Sequence, residues 1–129
     1  MILDSTFVHD VIHENDAAIN RLAELRDDGT PVALSALTVF EVGVGLRGET
    51  AQYRDRFDEK IEDLVIVPVG EAIARRALNI QHDLLDRGDR IGARDVLIAG
   101  TAVGSGDPRV LTRNTDEFAR VDELEVETY

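Results

Sequence analysis

The stretch Val-Ala-Leu-Ser-Ala-Leu-Thr-Val-Phe-Glu-Val-Gly-Val-Gly-Leu, residues 32–46, decides the fold class of this chain. Its first four residues follow Pro31 and form a short apolar run of the kind that fills a buried strand. Ser35 ends that run and opens a helical segment whose only polar side chains are Thr38 and Glu41. These two are three positions apart and therefore share one helix face. A strand that passes directly into a helix predicts a β–α unit.

The rest of the chain repeats this alternation. Apolar runs that suit buried strands lie at 1–4, 32–35, 64–69, 110–112 and, more weakly, 124–128. Helical stretches separate them, at 5–14, 17–28, 36–46, 51–62, 71–87 and 93–103. Strands that alternate with helices form a mostly parallel sheet covered on both faces. The sequence therefore predicts a single domain over residues 1–129 with a three-layer α/β/α sandwich fold.

Composition removes several functional classes. With 129 residues, 43% of them hydrophobic and 31% charged, the chain has the size and balance of one globular domain. No apolar run approaches the roughly 20 residues of a membrane span, and the first residues read as a strand rather than a leader peptide. The absence of cysteine excludes a disulfide scaffold, a thiolate metal site and a cysteine nucleophile. We therefore expect a cytoplasmic protein with no membrane partner, whose chemistry uses oxygen and nitrogen groups.

The charge balance restricts the kind of nucleic-acid contact that is possible. The net charge is −12, and the bases are thirteen arginines against the single lysine Lys60. A broad nucleic-acid-binding face normally has clustered bases. If the partner is RNA, metal ions and a few arginines must supply the attraction.

Three isolated carboxylates stand in apolar surroundings. Asp4 ends the first strand run, Glu41 lies inside the apolar helix 36–46, and Asp95 lies in the first turn of the apolar helix 93–103. Ligands of open parallel sheets gather at the carboxyl ends of the strands, so these acids are candidates for one site. An ionised carboxylate that is buried without a partner costs several kcal/mol, and a divalent cation is the simplest partner for a group of them.

Two of these acids also have a simple structural interpretation. Asp4 is suited to cap the helix that begins at Ser5, and Asp95 is suited to the positive end of its helix dipole or to pairing with Arg94. Glu41 has neither a cap position nor a neighbouring base. The coincidence of all three acids favours a shared metal site over three separate structural roles.

Four blocks of sequence share a recognisable order and spacing, at residues 2–7, 37–46, 91–102 and 110–118. They contain an acid after the first strand, a glutamate in the third helix, an aspartate that opens a late helix, and a Thr-x-Asn turn after the next strand. With these blocks the chain resembles the PIN-domain family, and within it the VapC-type toxins of toxin–antitoxin pairs. The resemblance covers nearly the whole chain.

This resemblance implies a Mg²⁺- or Mn²⁺-dependent endoribonuclease that hydrolyses RNA phosphodiesters, with Asp4, Glu41 and Asp95 as metal ligands. Family members often have a further acid or amide in the last turn, where this chain has Asn114 and, two residues later, Asp116. Other residues are expected to orient the ligands or to grip phosphate. They are Ser5, Thr112, Arg94, Arg113 and Arg47.

The resemblance also implies partners. An antitoxin peptide is expected in the acidic groove, placing an arginine among the carboxylates. A homodimer is expected as well, with residues 51–62 and 71–87 as candidate surfaces.

Other functions remain open at this point. His9 and His13 have the spacing of a zinc-protease helix, but Asp10 stands where that motif has its glutamate base. Phospho-receiver domains and haloacid-dehalogenase-type phosphatases have an acidic pair or Asp-x-Asp after the first strand, whereas this chain has only Asp4 there. A PIN fold that binds protein or RNA without cutting, and a housekeeping RNA-processing nuclease, are the serious alternatives.

Overall fold

The computed structural model describes residues 1–129 and contains five strands, seven α-helices and one 3-10 helix. Their order along the chain is β1 (Ile2–Leu3), α1 (Ser5–Ile12), α2 (Asp16–Asp27), β2 (Ala33–Ser35), α3 (Ala36–Gly45), the 3-10 helix (Gly48–Tyr53), α4 (Arg54–Ile61), β3 (Val65–Val67), α5 (Glu71–Asp86), α6 (Ala93–Gly104), β4 (Arg109–Leu111), α7 (Thr115–Phe118) and β5 (Glu125–Glu127).

All five strands are parallel, in the order β3-β2-β1-β4-β5. Ile2 of β1 lies opposite Ala33 on one side and Val110 on the other, so the three central strands end at the same level. The chain moves outward in one direction from β1 to β3 and in the other direction from β4 to β5. The strand order therefore reverses between β1 and β4, which is where open α/β sheets hold their ligands.

Alternate side chains of the central strands fill two separate cores. Leu3, Leu34 and Leu111 pack with Phe7 of α1 and other residues of α1 to α4. On the opposite face, side chains of β1 and β4 pack with α6 and the buried Phe118. Parallel strands are covered in this way on both faces because their crossover helices lie above and below the sheet. The predicted α/β/α sandwich is confirmed.

The structure corrects three local predictions. Residues 64–69 were expected to be a buried strand, but β3 is at the edge of the sheet and Val65 is 65% exposed. The helix predicted from residue 51 is preceded and partly replaced by the 3-10 helix, where the Thr50 hydroxyl donates to the carbonyl of Gly45 at 2.7 Å. The short helix α7 was not predicted. No helix is long and apolar enough to cross a membrane.

Candidate active site

The candidate site lies at the carboxyl ends of β1, β2 and β4. Asp4 directly follows β1, Ser35 ends β2 and caps α3 through its hydroxyl, and Thr112 directly follows β4. The Asp4 backbone N–H donates to the carbonyl of Leu111 at 3.0 Å, which holds the ends of β1 and β4 together. Polar residues that end separate strands therefore lie next to each other, as the sequence predicted.

Asp4 is buried and held by two hydroxyl groups. It occupies the N-cap position of α1, yet its side chain makes no capping hydrogen bond, so the helix-cap interpretation is wrong. The hydroxyls of Thr6 and Thr112 instead donate to Oδ2 of Asp4 at 2.9 Å and 2.8 Å. Ser5 Oγ is 3.5 Å from the other oxygen, a contact at the limit of a hydrogen bond.

Those two hydroxyls are oriented in turn by the backbone. The N–H of Arg113 donates to Thr6 at 3.0 Å, and the N–H of Asn114 donates to Thr112 at 2.9 Å. Since each hydroxyl accepts an N–H, its own proton is free to point at Asp4. Thr6 was not predicted as a site residue, although its position two residues after Asp4 in the first turn of α1 is a usable signal.

Glu41 is paired with an arginine rather than standing alone. Its side chain is 12% exposed, and its Oε1 lies 3.1 Å from Nε of Arg94, whose own side chain is 74% exposed. The structural alternative in which Arg94 pairs with its neighbour Asp95 is therefore wrong. Adjacent helical residues point in different directions, so Arg94 reaches across to α3 while Asp95 turns inward.

Asp95 faces a carboxyl group that sequence analysis missed. Burial raises the pKa of Asp95 to about 7, and hydrogen bonding and repulsion from Glu117 act in the same direction, with smaller repulsions from Asp4 and Glu41. The same contact, together with the Gly92 backbone N–H, lowers the pKa of Glu117. Of the two carboxyl groups, Asp95 is therefore the one whose ionised form is disfavoured.

These four acids line one cavity of about 470 Å³, which we call the acidic pocket. Asn114, Ser5 and Arg94 also line it, whereas Asp116 is exposed and lies outside it. The spacing of these residues in the sequence could have predicted that Glu117, and not Asp116, lines the pocket. Glu117 is three residues after Asn114 and so shares its side of the α7 turn, while Asp116 is only two residues away.

Two of the predicted phosphate-binding arginines have other surroundings. One nitrogen of Arg113 lies 2.9 Å from both carboxylate oxygens of the buried Asp10, so this arginine is first a partner of Asp10. The hydroxyl of Tyr129 also donates to Asp10, at 2.7 Å, and burial together with this contact raises the pKa of the tyrosine. Arg47 is exposed and does not line the acidic pocket.

The donor set of the acidic pocket suits a hard divalent cation, but it is not arranged as a finished cage. No three acidic or histidine side chains stand close enough together to hold a metal ion as they are placed. Glu41 is paired with Arg94, and burial and Glu117 raise the pKa of Asp95. A divalent cation would compete with Arg94 for Glu41 and with a proton for Asp95.

Comparison of the whole sequence with known families decides the family. A family model described as PIN domain matches residues 1–124. The chain belongs to the PIN domain family. Among curated protein sequences, none matches it.

Solved structures share this PIN fold over nearly the entire chain. VapBC2 from Rickettsia felis, bound to a DNA fragment from its promoter, matches with a TM-score of 0.86 and 24% identity over 99% of this chain and 97% of that one. FitAcB from Neisseria gonorrhoeae matches with a TM-score of 0.77 and 26% identity over 97% and 94%. VapBC-5 from Mycobacterium tuberculosis, a member of the VapBC family of toxin–antitoxin systems, has a TM-score of 0.74 and 24% identity over 99% and 97%.

Proposed function

We propose that this PIN domain is a Mg²⁺- or Mn²⁺-dependent endoribonuclease and the toxin of a VapBC-type toxin–antitoxin pair. One observation carries the proposal: four carboxyl groups line one pocket at the point where the strand order reverses, and burial together with the neighbouring acids raises the pKa of Asp95 to about 7. Such a cluster favours a divalent cation that neutralises it.

The residues would divide the work as follows. Asp4, Glu41 and Asp95 would hold the ion, and Thr6 and Thr112 would keep Asp4 oriented toward it. A divalent ion supplies an acidified water and balances the charge that develops on a phosphate during hydrolysis. Glu117 would complete the acidic wall, while Asn114 adds an uncharged oxygen and nitrogen.

Arg94 supplies the positive charge beside Glu41. Because it is exposed and bonded to Glu41 through one nitrogen, it can leave without disturbing the core. Once released, its guanidinium would lie next to the site of the reacting phosphate, a ligand that guanidinium groups bind well. Arg94 would therefore balance Glu41 in the resting state and contact substrate in the active state.

The test is cleavage of a mixed RNA pool with Mg²⁺ or Mn²⁺ and with EDTA. We expect cleavage only with metal, and we expect Asp95→Asn to lower the rate by a hundredfold or more, on the order of 3 kcal/mol of barrier. Asp58→Asn, an exposed acid on α4, is the matched control and should cleave like the parent. If Asp95→Asn also cleaves like the parent, the assignment of Asp95 is wrong.

The same assay decides which acid of the last turn belongs to the site. We expect Glu117→Gln to reduce cleavage and Asp116→Asn to leave it nearly unchanged, because only Glu117 lines the acidic pocket. The reverse order of effects would show that α7 turns its other side inward in the active protein.

An antitoxin partner is proposed from the complexes that this fold resembles. The pair between Glu41 and Arg94 supports the form of that contact, since the acidic pocket already accepts a guanidinium. Purification with the product of a neighbouring short reading frame, followed by loss of RNA cleavage in the complex, would separate a toxin from a housekeeping RNA-processing nuclease.

The second candidate function is a PIN fold that binds RNA or protein without cutting. It is favoured by the local partners of the acids, since none of them is left unpaired without metal. Mn²⁺ decides between the two, because a ligand that binds only the folded state raises the melting temperature. Millimolar Mn²⁺ that leaves the melting temperature unchanged would favour the non-catalytic module.

A homodimer and a cytoplasmic location remain proposals. The exposed Leu78 and Leu85 lie seven residues apart on α5, so they share one face of a helix that was expected to supply a dimer surface. Sedimentation of the parent and of Leu78→Glu would test the association.

A further inference from the structure

His9 and His13, which the nuclease site does not use, line a second groove beside the acidic pocket. The groove has a volume of about 350 Å³, and Thr50, Arg94 and Arg113 also border it. We call it the histidine groove. It is continuous with the acidic pocket, because Ser5, Thr6, Glu41 and Arg94 line both. Anything that enters the acidic pocket from this side must pass over the two histidines.

The two histidines begin a ladder of stacked flat groups. The rings of His9 and His13 are stacked with centroids 4.1 Å apart and an angle of 21°. His13 in turn lies 4.5 Å from the ring of Tyr53, at 36°, and the guanidinium of Arg56 lies 5.4 Å from that ring. Tyr53 and Arg56 border a further depression that shares His13 with the histidine groove. The ladder therefore leads away from the acidic pocket along the surface.

Local contacts hold the ladder in place without a ligand. Nδ1–H of His13 donates to the carbonyl of His9 at 2.9 Å, one helical turn back. Arg56 donates to the carbonyl of Ile12 at 2.8 Å, which ties the start of α4 to the end of α1. The His9 side chain is 55% exposed. A flat ligand can stack there with little loss of side-chain freedom, because the rings are already ordered.

Positive charge accompanies the ladder in a strongly acidic protein. The chain has a net charge of −12, yet two arginines with largely exposed side chains, Arg94 and Arg113, border the histidine groove. Another surface depression, on α5, has the opposite character, with Asp83, Asp86 and Asp122 around Arg87. Each of these arginines is also paired with an acid, Arg94 with Glu41 and Arg113 with Asp10, so the groove offers a phosphate the remaining N–H groups of the two guanidinium groups.

The arrangement of His9 and His13 is not that of a zinc site. A zinc site takes about four ligands, with three from the protein even where catalysis keeps one position open. No group of three histidine or acidic side chains in the chain is placed to hold a metal ion. The stack is also continued by Tyr53, which is not a usual ligand, rather than by an acid.

We propose that the histidine groove binds single-stranded RNA on one side of the cleaved phosphate, with unpaired bases stacked on the ladder that His9 and His13 begin and with phosphates against Arg94 and Arg113. Single-stranded RNA is recognised mainly by stacking of its splayed bases on flat side chains, whereas double-stranded RNA keeps its bases inside. This inference rests on the proposed nuclease function and adds to it a binding path for the substrate beside the acidic pocket.

The experiment measures binding and cleavage of a short fluorescein-labelled single-stranded RNA. Binding is followed by anisotropy with Ca²⁺, and KM and kcat are measured with Mn²⁺. The double variant His9→Ala, His13→Ala should weaken binding and raise KM by about tenfold, since base stacking contributes roughly 1–3 kcal/mol per base, and kcat should change little. A duplex of the same sequence should bind weakly to both proteins.

Two further variants separate stacking from other effects. His82→Ala removes the remaining histidine, which is exposed on α5 far along the chain from the groove, and should behave like the parent. His9→Phe with His13→Phe keeps flat rings without ring nitrogens and should retain most of the binding. Melting temperatures close to the parent value confirm that the variants fold.

The outcomes distinguish this inference from the proposed function. If the parent cleaves RNA but the double alanine variant has the parent's binding and KM, or if the double phenylalanine variant is as weak as the alanine one, the stacking path is wrong and the nuclease stands. If the parent neither binds nor cleaves RNA, the proposed function fails and this inference falls with it. If the alanine variant loses only its affinity for an antitoxin peptide, the groove is a protein-binding surface and the inference is overturned.

Discussion

If the acidic pocket is the proposed metal site, single side chains decide how readily it accepts the ion. Arg94 must leave Glu41 before Glu41 can act as a ligand, so Arg94→Ala should bind Mn²⁺ more tightly than the parent. Because the arginine of this ion pair is 74% exposed, solvent weakens the pair to about 1 kcal/mol, which limits the gain to roughly fivefold. Isothermal titration with Mn²⁺ measures the change. Arg75→Ala, which removes an exposed arginine paired only with Glu71, is the control and should not alter the affinity.

The raised pKa of Asp95 predicts how stability changes with pH. The pKa is about 7 in the folded state and about 4 in an unfolded chain. Between these values the folded state holds an extra proton, so the free energy of unfolding should fall as pH rises from about 4 to about 7. The lowered pKa of Glu117 acts at more acidic pH and leaves this range largely unaffected.

Urea denaturation in EDTA at several pH values measures this effect against Asp95→Asn, which should lack this part of the decline. With Mn²⁺ the slope should reverse, because metal ligands must lose their protons. Equal slopes in EDTA for the parent and Asp95→Asn would contradict the assignment of the titrating group.

Packing between helices positions the acid of α6. Gly100 of α6 meets α5 so closely that an added Cβ would lie 3.0 Å from the Cβ and the backbone N of Ala77 and 3.1 Å from the carbonyl of Ile73. Gly100→Ala should therefore lower the free energy of unfolding by about 2 kcal/mol, as expected for an overpacked core. Chemical denaturation measures the loss.

Gly104, near the end of the same helix, supplies the control. A Cβ there would meet only the side chains of Arg76 and Ile73, at 3.6 Å or more. Gly104→Ala should therefore be neutral or slightly stabilising, because alanine is the better helix former. If both variants lost the same stability, close approach of α5 and α6 would not be the cause.

Charge acts on the molecule as a whole. With a net charge of −12 on 129 residues, the excess carboxylates repel each other in the compact folded state. Added salt screens that repulsion. Salt also weakens favourable ion pairs, but most of those in this protein are partly exposed and contribute little. The free energy of unfolding should therefore rise between low and moderate NaCl. A decrease measured by urea denaturation would mean that the local pairs dominate.

Much of the fold was predictable because its signals are local. Short apolar runs that alternate with amphipathic segments identify parallel strands and their crossover helices, and the two edge strands β3 and β5 are less buried than that pattern predicts. Whether a strand lies at the edge depends on the order of all the strands in the sheet, which cannot be predicted from the sequence of one segment. Asp4, Glu41 and Asp95 were also visible locally, because an isolated acid in an apolar segment stands out from its neighbours.

The sequence by itself therefore determined the α/β/α architecture and three of the four acids that line the acidic pocket. Tertiary structure decided the partners: Thr6 and Thr112 for Asp4, Arg94 for Glu41, and Glu117 for Asp95. The physical reason is geometric. A contact between side chains of distant segments depends on strand register and on the rotation of each helix about its axis. Both are set only when the strands and helices pack together.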